Sequence, residues 1–355
     1  MTTPLAGGFS AGLARSSAVP VVVFDLGGTW SRSGVLDGRE VVGLERTPTS
    51  TVLGGVRAGD EARRRIISWL AETFDRISGA TRVARCAVSL GAAMDGRTGE
   101  VVGAAPLFGA ERFSWWPEKE LRLARPEVAW TVVNDVSALA YALLHNDDVN
   151  QAGTAAAVTV STGIAYRTID LATGHIPYDR DNGLQGEIGH LPSRMDWEGR
   201  PVTALCDCGA RDHVSAFASG AAVERFLREI RSPRWGVPDG TVETFAASVH
   251  NGHAGARAVL DAVTMPMAEV VLAQACLNPR VEHTVFTGGV VDGLGEHYLA
   301  SLTGNLGRLG LYGVSDRDPG YFARRLRTGQ ADRLDALRGA GIHARGFRQG
   351  GACTA

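Results

Sequence analysis

Lysine is almost absent from the sequence: of 36 lysine and arginine residues, only Lys119 is a lysine. A Walker phosphate-binding loop, GxxxxGK[ST], needs a lysine and is not found, which excludes that class of nucleotide site. Cysteine is also sparse, with five residues in a chain of 355. An odd, small number of cysteines at this length excludes a disulfide scaffold and indicates a reducing compartment. We therefore expect a cytoplasmic protein.

An excess of one charge sign is lacking as well. The formal net charge is -2 and the isoelectric point is near 6.5, which provides no electrostatic basis for binding nucleic acid or an anionic membrane. No uninterrupted apolar run reaches the roughly 20 residues of a membrane-spanning helix. Residues 1–20 are rich in Ala, Gly, Ser and Pro and lack a secretory pattern, so we expect a flexible tail there. The expected partner is a small molecule.

The most informative segment is VVVFDLGGTWSRSGVLD, residues 21–37. An apolar strand ends near Asp25, the chain turns through Gly27, Gly28 and Thr29, and a second strand follows. Adjacent glycines let backbone N–H groups come close to a phosphate, and a carboxylate at a strand end is suited to hold Mg²⁺. The segment therefore predicts the phosphate site of an actin-like ATPase domain, with Asp25 as the magnesium ligand.

A second segment repeats this pattern far downstream. AAAVTVSTGIAYRTID, residues 155–170, is again a strand, a small-residue turn at Ser161, Thr162 and Gly163, and a strand ending in Asp. Helices and strands alternate between and after the two segments. The repeat predicts a duplicated α/β fold of the actin-like ATPase (ribonuclease H-like) type, with two domains and a cleft between them. A later turn, Gly288-Gly289, is either a plain tight turn or a place where a nucleotide approaches the backbone.

The same pattern predicts the domain organisation. After the tail, an N-terminal α/β domain is expected over residues 21–135 and a C-terminal α/β domain over residues 136–330. The remaining residues, 331–355, are expected to form a helix that packs back on the N-terminal domain, followed by a tail.

Asn134 and Asp135 stand where a predicted strand meets a predicted helix. A carboxylate at the carboxyl end of a strand is well placed to act as a general base on a substrate hydroxyl, with Asn134 binding a neighbouring hydroxyl. Either residue would also serve as an ordinary helix N-cap. The position of the pair between the two phosphate-type turns favours catalysis by Asp135.

Two further segments carry polar side chains. Glu187 and His190 are three residues apart, a spacing that puts both on one side of a helical turn, where they are candidates for binding a polyol. Cys206 and Cys208 supply two thiolates, and His213 and His190 are candidates for completing a tetrahedral zinc site. The alternatives are a solvated loop and a pair of free cysteines.

Taken in order, these motifs resemble those of the ROK family (repressor, open reading frame, kinase), whose members are largely sugar kinases. The resemblance covers the chain from about residue 21 to the last helix. It implies ATP and Mg²⁺ as cofactors, Asp135 as the base, and substrate binding by Asn134, Asp135, Glu187 and His190. It further implies a structural Zn²⁺ held by His190, Cys206, Cys208 and, in place of the third family cysteine, His213. The nucleotide-binding residues that it implies are Asp25, Gly27, Gly28, Thr29, Ser161, Thr162, Gly163, Gly288 and Gly289. A homodimer is also implied.

Departures from the family pattern concern the substrate. Where the family has a glutamate that binds the anomeric side of the sugar, this chain has Ser215, and Leu107 replaces a sugar-binding asparagine. A substrate without an anomeric hydroxyl does not need the glutamate. The sequence thus resembles C7-cyclitol kinases of aminocyclitol antibiotic biosynthesis, which implies phosphorylation of the 7-hydroxyl of a valienone, validone or valiolone-type cyclitol. A glucokinase or N-acetylhexosamine kinase and a non-catalytic sugar sensor are the alternatives.

Overall fold

The computed structural model describes residues 19–56, 59–81, 83–109, 111–146, 149, 152–329 and 335–346. Most of the predicted tail, residues 1–18, and the predicted helix start at 331–334 lie outside these ranges. The chain divides into two compact units, residues 1–145 with 335–355, and residues 146–334. The first unit thus extends beyond residue 135, where the sequence placed the boundary, because the helix that begins at Asp135 packs within this unit.

The first unit contains a mixed five-stranded sheet and a small antiparallel one. Its strands are β1 (Val21–Leu26), β2 (Trp30–Asp37), β3 (Glu40–Pro48), β4 (Arg85–Leu90), β5 (Ala93–Met94), β6 (Val101–Gly103), β7 (Arg112–Trp115) and β8 (Ala129–Asn134). Its first helices are α1 (Thr49–Leu53), α2 (Gly59–Thr81), α3 (Ala105–Phe108), α4 (Pro117–Ala124) and α5 (Asp135–Ala142). The large sheet has the order β3-β2-β1-β4-β8, in which β1, β4 and β8 are parallel. Apolar residues of β1, β4 and α2 form the core of this unit.

The strands of the second unit are β9 (Thr154–Val160), β10 (Ile164–Asp170), β11 (Met195–Trp197), β12 (Arg200–Val202), β13 (Val281–Thr287) and β14 (Leu326–Thr328). Four of them form a sheet of order β10-β9-β13-β14, and β11 and β12 pair with each other. Its helices are α6 (Val214–Ala218), α7 (Gly220–Glu229), α8 (Val242–His250), α9 (Ala254–Leu277), α10 (Gly289–Leu294) and α11 (Glu296–Leu309). In each unit the first strand pairs antiparallel with the next strand and parallel with a later one, as the repeated sequence pattern predicts.

Helix α9 is long and apolar enough, by length and composition, to cross a membrane. Core helices of globular domains pass the same test. Val259, Val263 and Met267 of this helix are buried in the core of the second unit, and Asp261 accepts a hydrogen bond from Ser301 on α11. We therefore assign α9 to the core.

The last helix, α12 (Ala336–Arg345), belongs to the first unit, where it packs against α5, β1 and β4. Asp335 caps it by accepting a hydrogen bond of 2.7 Å from the backbone N–H of Leu337. Within the described residues the helix therefore begins after this cap, and the predicted start at 331–334 lies outside them.

Candidate active site

Three of the polar residues singled out in the sequence, Asp25, Asn134 and Asp135, lie at one edge of the large sheet of the first unit. Strands β1, β4 and β8 are in register so that Leu26, Leu90 and Asn134 lie level at their carboxyl ends. The backbone N–H of Gly91 donates to the carbonyl of Leu26 over 3.0 Å. A Cβ atom on Gly91 would lie 3.6 Å from Oδ2 of Asp135. The parallel pairing therefore brings the Gly91 backbone beside Asp135.

Asn134 is the N-cap of α5, so the helix-cap alternative is correct for this residue. Its Oδ1 accepts a hydrogen bond of 3.1 Å from the N–H of Ser137, and its Nδ2 donates to Ala92 O (2.8 Å) and to Oδ1 of Asp135 (2.9 Å). Asp135 Oδ1 also accepts a bond of 2.8 Å from the N–H of Val136. These bonds orient the Asp135 carboxylate through Oδ1, and its Oδ2 lies on the side of Gly91. Substrate binding by Asn134 stays a prediction.

Asp25 lies at the end of β1 within a network of charged groups. Its Oδ2 accepts hydrogen bonds from Nε (3.1 Å) and Nη2 (2.7 Å) of Arg32, and its Oδ1 accepts one from Ser89 Oγ (2.8 Å). Arg32 also donates to Asp335 over 2.6 Å. Burial opposes the charged form of Arg32, but the two carboxylates outweigh it and raise the pKa of the guanidinium. Because a carboxylate offers about four lone-pair sites, these three bonds leave room for a further contact.

The turn after β1 is exposed at Gly28 and Thr29. Gly27 donates to the carbonyl of Trp30 (3.1 Å) and accepts a bond of 2.7 Å from the hydroxyl of Thr49, whose N–H donates to the Thr29 carbonyl (3.0 Å). The first residue of α1 therefore fixes a turn whose exposed backbone is accessible to a phosphate.

The nucleotide-binding candidates of the second unit also come together. The carbonyl of Ser161 accepts a bond of 2.8 Å from the N–H of Gly220, the first residue of α7. A Cβ atom on Gly220 would lie 3.5 Å from Cγ2 of Val290, beside the turn at 288–289. Gly288 has a φ of +101°, and a Cβ atom there would lie 2.6 Å from the carbonyl of Val160. The two predicted turns, at 161–163 and 288–289, are thus neighbours at the end of β9.

Glu187 precedes a 3-10 turn formed by Ile188–His190. A Cβ atom on Gly189 would lie 2.6 Å from the carbonyl of Ile164 and 2.2 Å from Oγ of Ser215, so only glycine fits there. The Glu187 side chain is reached by solvent, yet the surrounding protein desolvates its carboxylate and raises its pKa, while the charge of Arg167 opposes the rise.

The four predicted metal ligands form one cluster. The ligand atoms of His190, Cys206, Cys208 and His213 all lie within 4.8 Å of one another. Nδ1 of His190 is 3.7 Å from Sγ of Cys206, and Nδ1 of His213 is 3.3 Å from Sγ of Cys208. Tetrahedral zinc with ordinary bond lengths requires about 3.6 Å between a sulfur and a nitrogen ligand. The donor set and its spacing therefore fit Zn²⁺.

The sequence model of a protein family, described as the ROK family, matches residues 60–308 of this chain. The chain belongs to the ROK family. This ROK protein is 40% identical over 343 residues to 2-epi-5-epi-valiolone 7-kinase of Actinoplanes sp., with 92% of each chain covered. It is 30% identical over 344 residues to C(7)-cyclitol 7-kinase of Streptomyces hygroscopicus subsp. jinggangensis, covering 90% of this chain and 92% of that one.

The fold of this ROK protein is similar to that of a solved ROK family glucokinase from Streptomyces griseus, in complex with glucose and AMPPNP. The TM-score is 0.72 at 19% identity, with 92% of this chain and 99% of the other covered. The predicted family and the predicted actin-like α/β fold class are thereby confirmed.

Three residues that contact the candidate site were missed in the sequence of this ROK protein. Thr49 holds the first glycine turn, Arg32 binds Asp25, and Arg167 donates to the carbonyl of Gln185, two residues before Glu187. Arg32 carries a signal in the sequence, because it is a charged residue inside a strand, Trp30–Asp37, whose other interior residues are small or apolar. Thr49 and Arg167 become visible only once strand pairing and loop packing are known.

Proposed function

We propose that this protein transfers the γ-phosphoryl group of ATP to the primary 7-hydroxyl of a C7 cyclitol of the valienone, validone or valiolone type. The observation that carries the proposal is the 40% identity, across 92% of both chains, to a relative named 2-epi-5-epi-valiolone 7-kinase. The second relative, named C(7)-cyclitol 7-kinase, supports the same substrate class.

Asp135 acts as the general base. Its Oδ2 takes the proton of the substrate hydroxyl as the oxygen attacks the γ-phosphorus, and ADP leaves. The hydrogen bonds from Asn134 and Val136 to Oδ1 support this role, since they keep the carboxylate in one orientation. Asp25 would hold Mg²⁺, which neutralises charge on the phosphates. The N–H groups of the turn at 27–29 would bind phosphate oxygens.

In the second unit, Glu187 and His190 bind hydroxyl groups of the cyclitol. The turns at 161–163 and 288–289 bind the nucleotide, and their position side by side at the end of β9 supports this role, because one ligand can then contact both turns. Asn134 contacts a neighbouring substrate hydroxyl.

Ser215 supports the same substrate class. Its hydroxyl packs beside Gly189 of the turn that carries Glu187 and His190. A glutamate at this place would accept a charged hydrogen bond from an anomeric hydroxyl worth about 1.5–3 kcal/mol, and a serine does not replace it. A carbocyclic substrate has no anomeric centre and loses nothing by this exchange.

A substrate panel tests the proposal. ADP release is measured with ATP and, in parallel, 2-epi-5-epi-valiolone, valienone, validone, glucose and N-acetylmannosamine. We expect the highest kcat/KM for a cyclitol. Efficient turnover of glucose or N-acetylmannosamine without turnover of any cyclitol would instead identify a hexose or hexosamine kinase. Binding of a sugar with no ADP release at all would identify a non-catalytic sensor.

The proposal also includes a metal site, an oligomeric state and a cellular location. The cluster of His190, Cys206, Cys208 and His213 holds a structural Zn²⁺, supported by its donor set and spacing. The protein acts as a homodimer in the cytoplasm, in the biosynthesis of an aminocyclitol antibiotic. Light scattering of the purified protein measures the mass of the assembly directly, and a monomer mass would contradict the dimer.

A further inference from the structure

The segment that carries Glu187 lies along an open side of β10, the outer strand of its sheet. The N–H of Tyr166 donates to the carbonyl of Gly186 over 2.8 Å. Gly186 has a φ of +83°, and a Cβ atom on it would lie only 1.7 Å from the Tyr166 carbonyl. Three residues later, a Cβ atom on Gly189 would lie 2.6 Å from the carbonyl of Ile164. Backbone contacts with β10 therefore fix the chain on both sides of Glu187.

Arg167 follows Tyr166 on the same strand and is 3% exposed. Its Nη1 donates to the carbonyl of Gln185, two residues before Glu187. The guanidinium carbon lies 5.5 Å from the centre of the Tyr178 ring, from the same loop. A buried guanidinium is costly unless it is hydrogen-bonded and paired with opposite charge. Its charge also acts on the carboxylate of Glu187, where burial raises the pKa and the charge of Arg167 opposes the rise.

We propose that Arg167 is a positioning residue for the substrate: it holds the 185–187 segment and stabilises the Glu187 carboxylate in the orientation that accepts hydrogen bonds from the polyol. The inference rests on the proposed function in one respect, that Glu187 binds substrate. Arg167 acts through Glu187 and touches neither ATP nor the transferred phosphoryl group. Its loss therefore weakens the affinity for the polyol and does not change the affinity for ATP.

A double-mutant cycle tests this role. Arg167→Met, Glu187→Gln and the double variant are compared by calorimetric binding of the cyclitol without ATP and by the KM values of both substrates. We expect Arg167→Met to weaken cyclitol binding about tenfold, as the loss of a charged hydrogen bond does, with the KM for ATP within twofold of wild type. In the Glu187→Gln background the same substitution should have little further effect, because the two residues act as a unit.

Two controls accompany the cycle. Arg167→Lys keeps the charge but not the planar fork, and we expect it to recover part of the lost affinity. Arg228→Met removes an exposed arginine of the same unit (63% side-chain exposure) and should bind like wild type. If Arg167→Met does not fold, the cycle is run with Arg167→Lys.

Additive effects of Arg167 and Glu187 substitutions, or equal losses for cyclitol and ATP, would overturn the inference. So would wild-type affinity in Arg167→Met. The substrate panel separates this result from the proposed function. If the wild-type protein binds a different polyol, the cycle is run with that polyol and still decides the role of Arg167.

Discussion

A single carboxylate oxygen, Oδ2 of Asp135, carries the proposed chemistry. Its partner oxygen, Oδ1, accepts hydrogen bonds from Asn134 and Val136. An asparagine in this position satisfies the same two donors only when its amide oxygen replaces Oδ1. Its NH₂ group then takes the place of Oδ2 and cannot accept a proton. The substitution therefore removes the base while keeping the shape of the site.

We predict that Asp135→Asn lowers kcat by at least about 10³-fold, within the range of general base catalysis, and changes cyclitol affinity only a few-fold. Steady-state kinetics and calorimetry measure the two quantities separately. As the control for folding, the variant should have the same thermal unfolding temperature as the wild type. Undiminished turnover in the variant would show that another group accepts the proton.

At the scale of the element, α12 depends on two glycines to reach its place in the first unit. A Cβ atom on Gly339 would lie 1.7 Å from the backbone carbonyl of Ala138 on α5. A Cβ atom on Gly341 would lie 2.6 Å from Leu36 Cδ2. Since the obstacle at Gly339 is backbone, no side-chain rotation relieves it.

We predict that Gly339→Ala lowers the free energy of unfolding by about 3 kcal/mol or more, as overpacking against a rigid neighbour does. Gly304→Ala is the matched control, because a Cβ atom on this helical glycine of α11 meets nothing within 4 Å. There the higher helix propensity of alanine should stabilise by about 0.5–1 kcal/mol. Denaturant titrations of both variants measure the difference, and equal stabilities would contradict the packing argument.

The same helix gives the protein a pH dependence. His343 stacks on Tyr141 with ring centres 4.1 Å apart, and burial lowers the pKa of His343 from its ordinary value of 6.5. Below that pH the unfolded chain binds a proton that the folded chain does not. Stability is therefore full above about pH 6.5 and falls as the pH decreases through the window below it, by up to about 1.4 kcal/mol per pH unit.

We predict that His343→Phe, which keeps a ring on Tyr141 and removes the titration, narrows the stability difference between pH 7.5 and pH 6.0. Burial also lowers the pKa of His283, so part of the dependence should remain. Thermal unfolding at the two pH values measures the effect. An unchanged difference in the variant would assign the pH dependence to other groups.

The strands of the first unit differ in how well their positions can be predicted from the sequence. The ends of β1 and β8 could be predicted because each run of apolar residues is interrupted by polar ones near the end of its strand, at Asp25 and at Asn134-Asp135. The small sheet of β5, β6 and β7 could not be predicted, because its strands have two to four residues and no period is visible over such lengths. The partners Arg32–Asp335 are 303 residues apart, a separation that only the folded chain reveals.

At the scale of the whole molecule, zinc binding by the proposed site would be coupled to folding, because a cluster of ligands from separate segments exists only in the folded chain. His190 follows the turn of Glu187, while Cys206, Cys208 and His213 come from the loop before α6. His213 is also the N-cap residue of α6, the helix that contains Ser215. A metal in this cluster would tie both segments of the proposed cyclitol site together.

We predict one equivalent of zinc in the purified protein, lost in His213→Ala and retained in His213→Cys, which supplies a fourth ligand of another kind. Removal of the metal by a chelator should lower the thermal unfolding temperature, and the KM for the cyclitol should rise more than the KM for ATP, because Glu187 and Ser215 lie on the segments that zinc joins. Metal analysis and unfolding curves measure these outcomes. A well-folded preparation with less than one equivalent of zinc, or full zinc retention in His213→Ala, would contradict the four-ligand site.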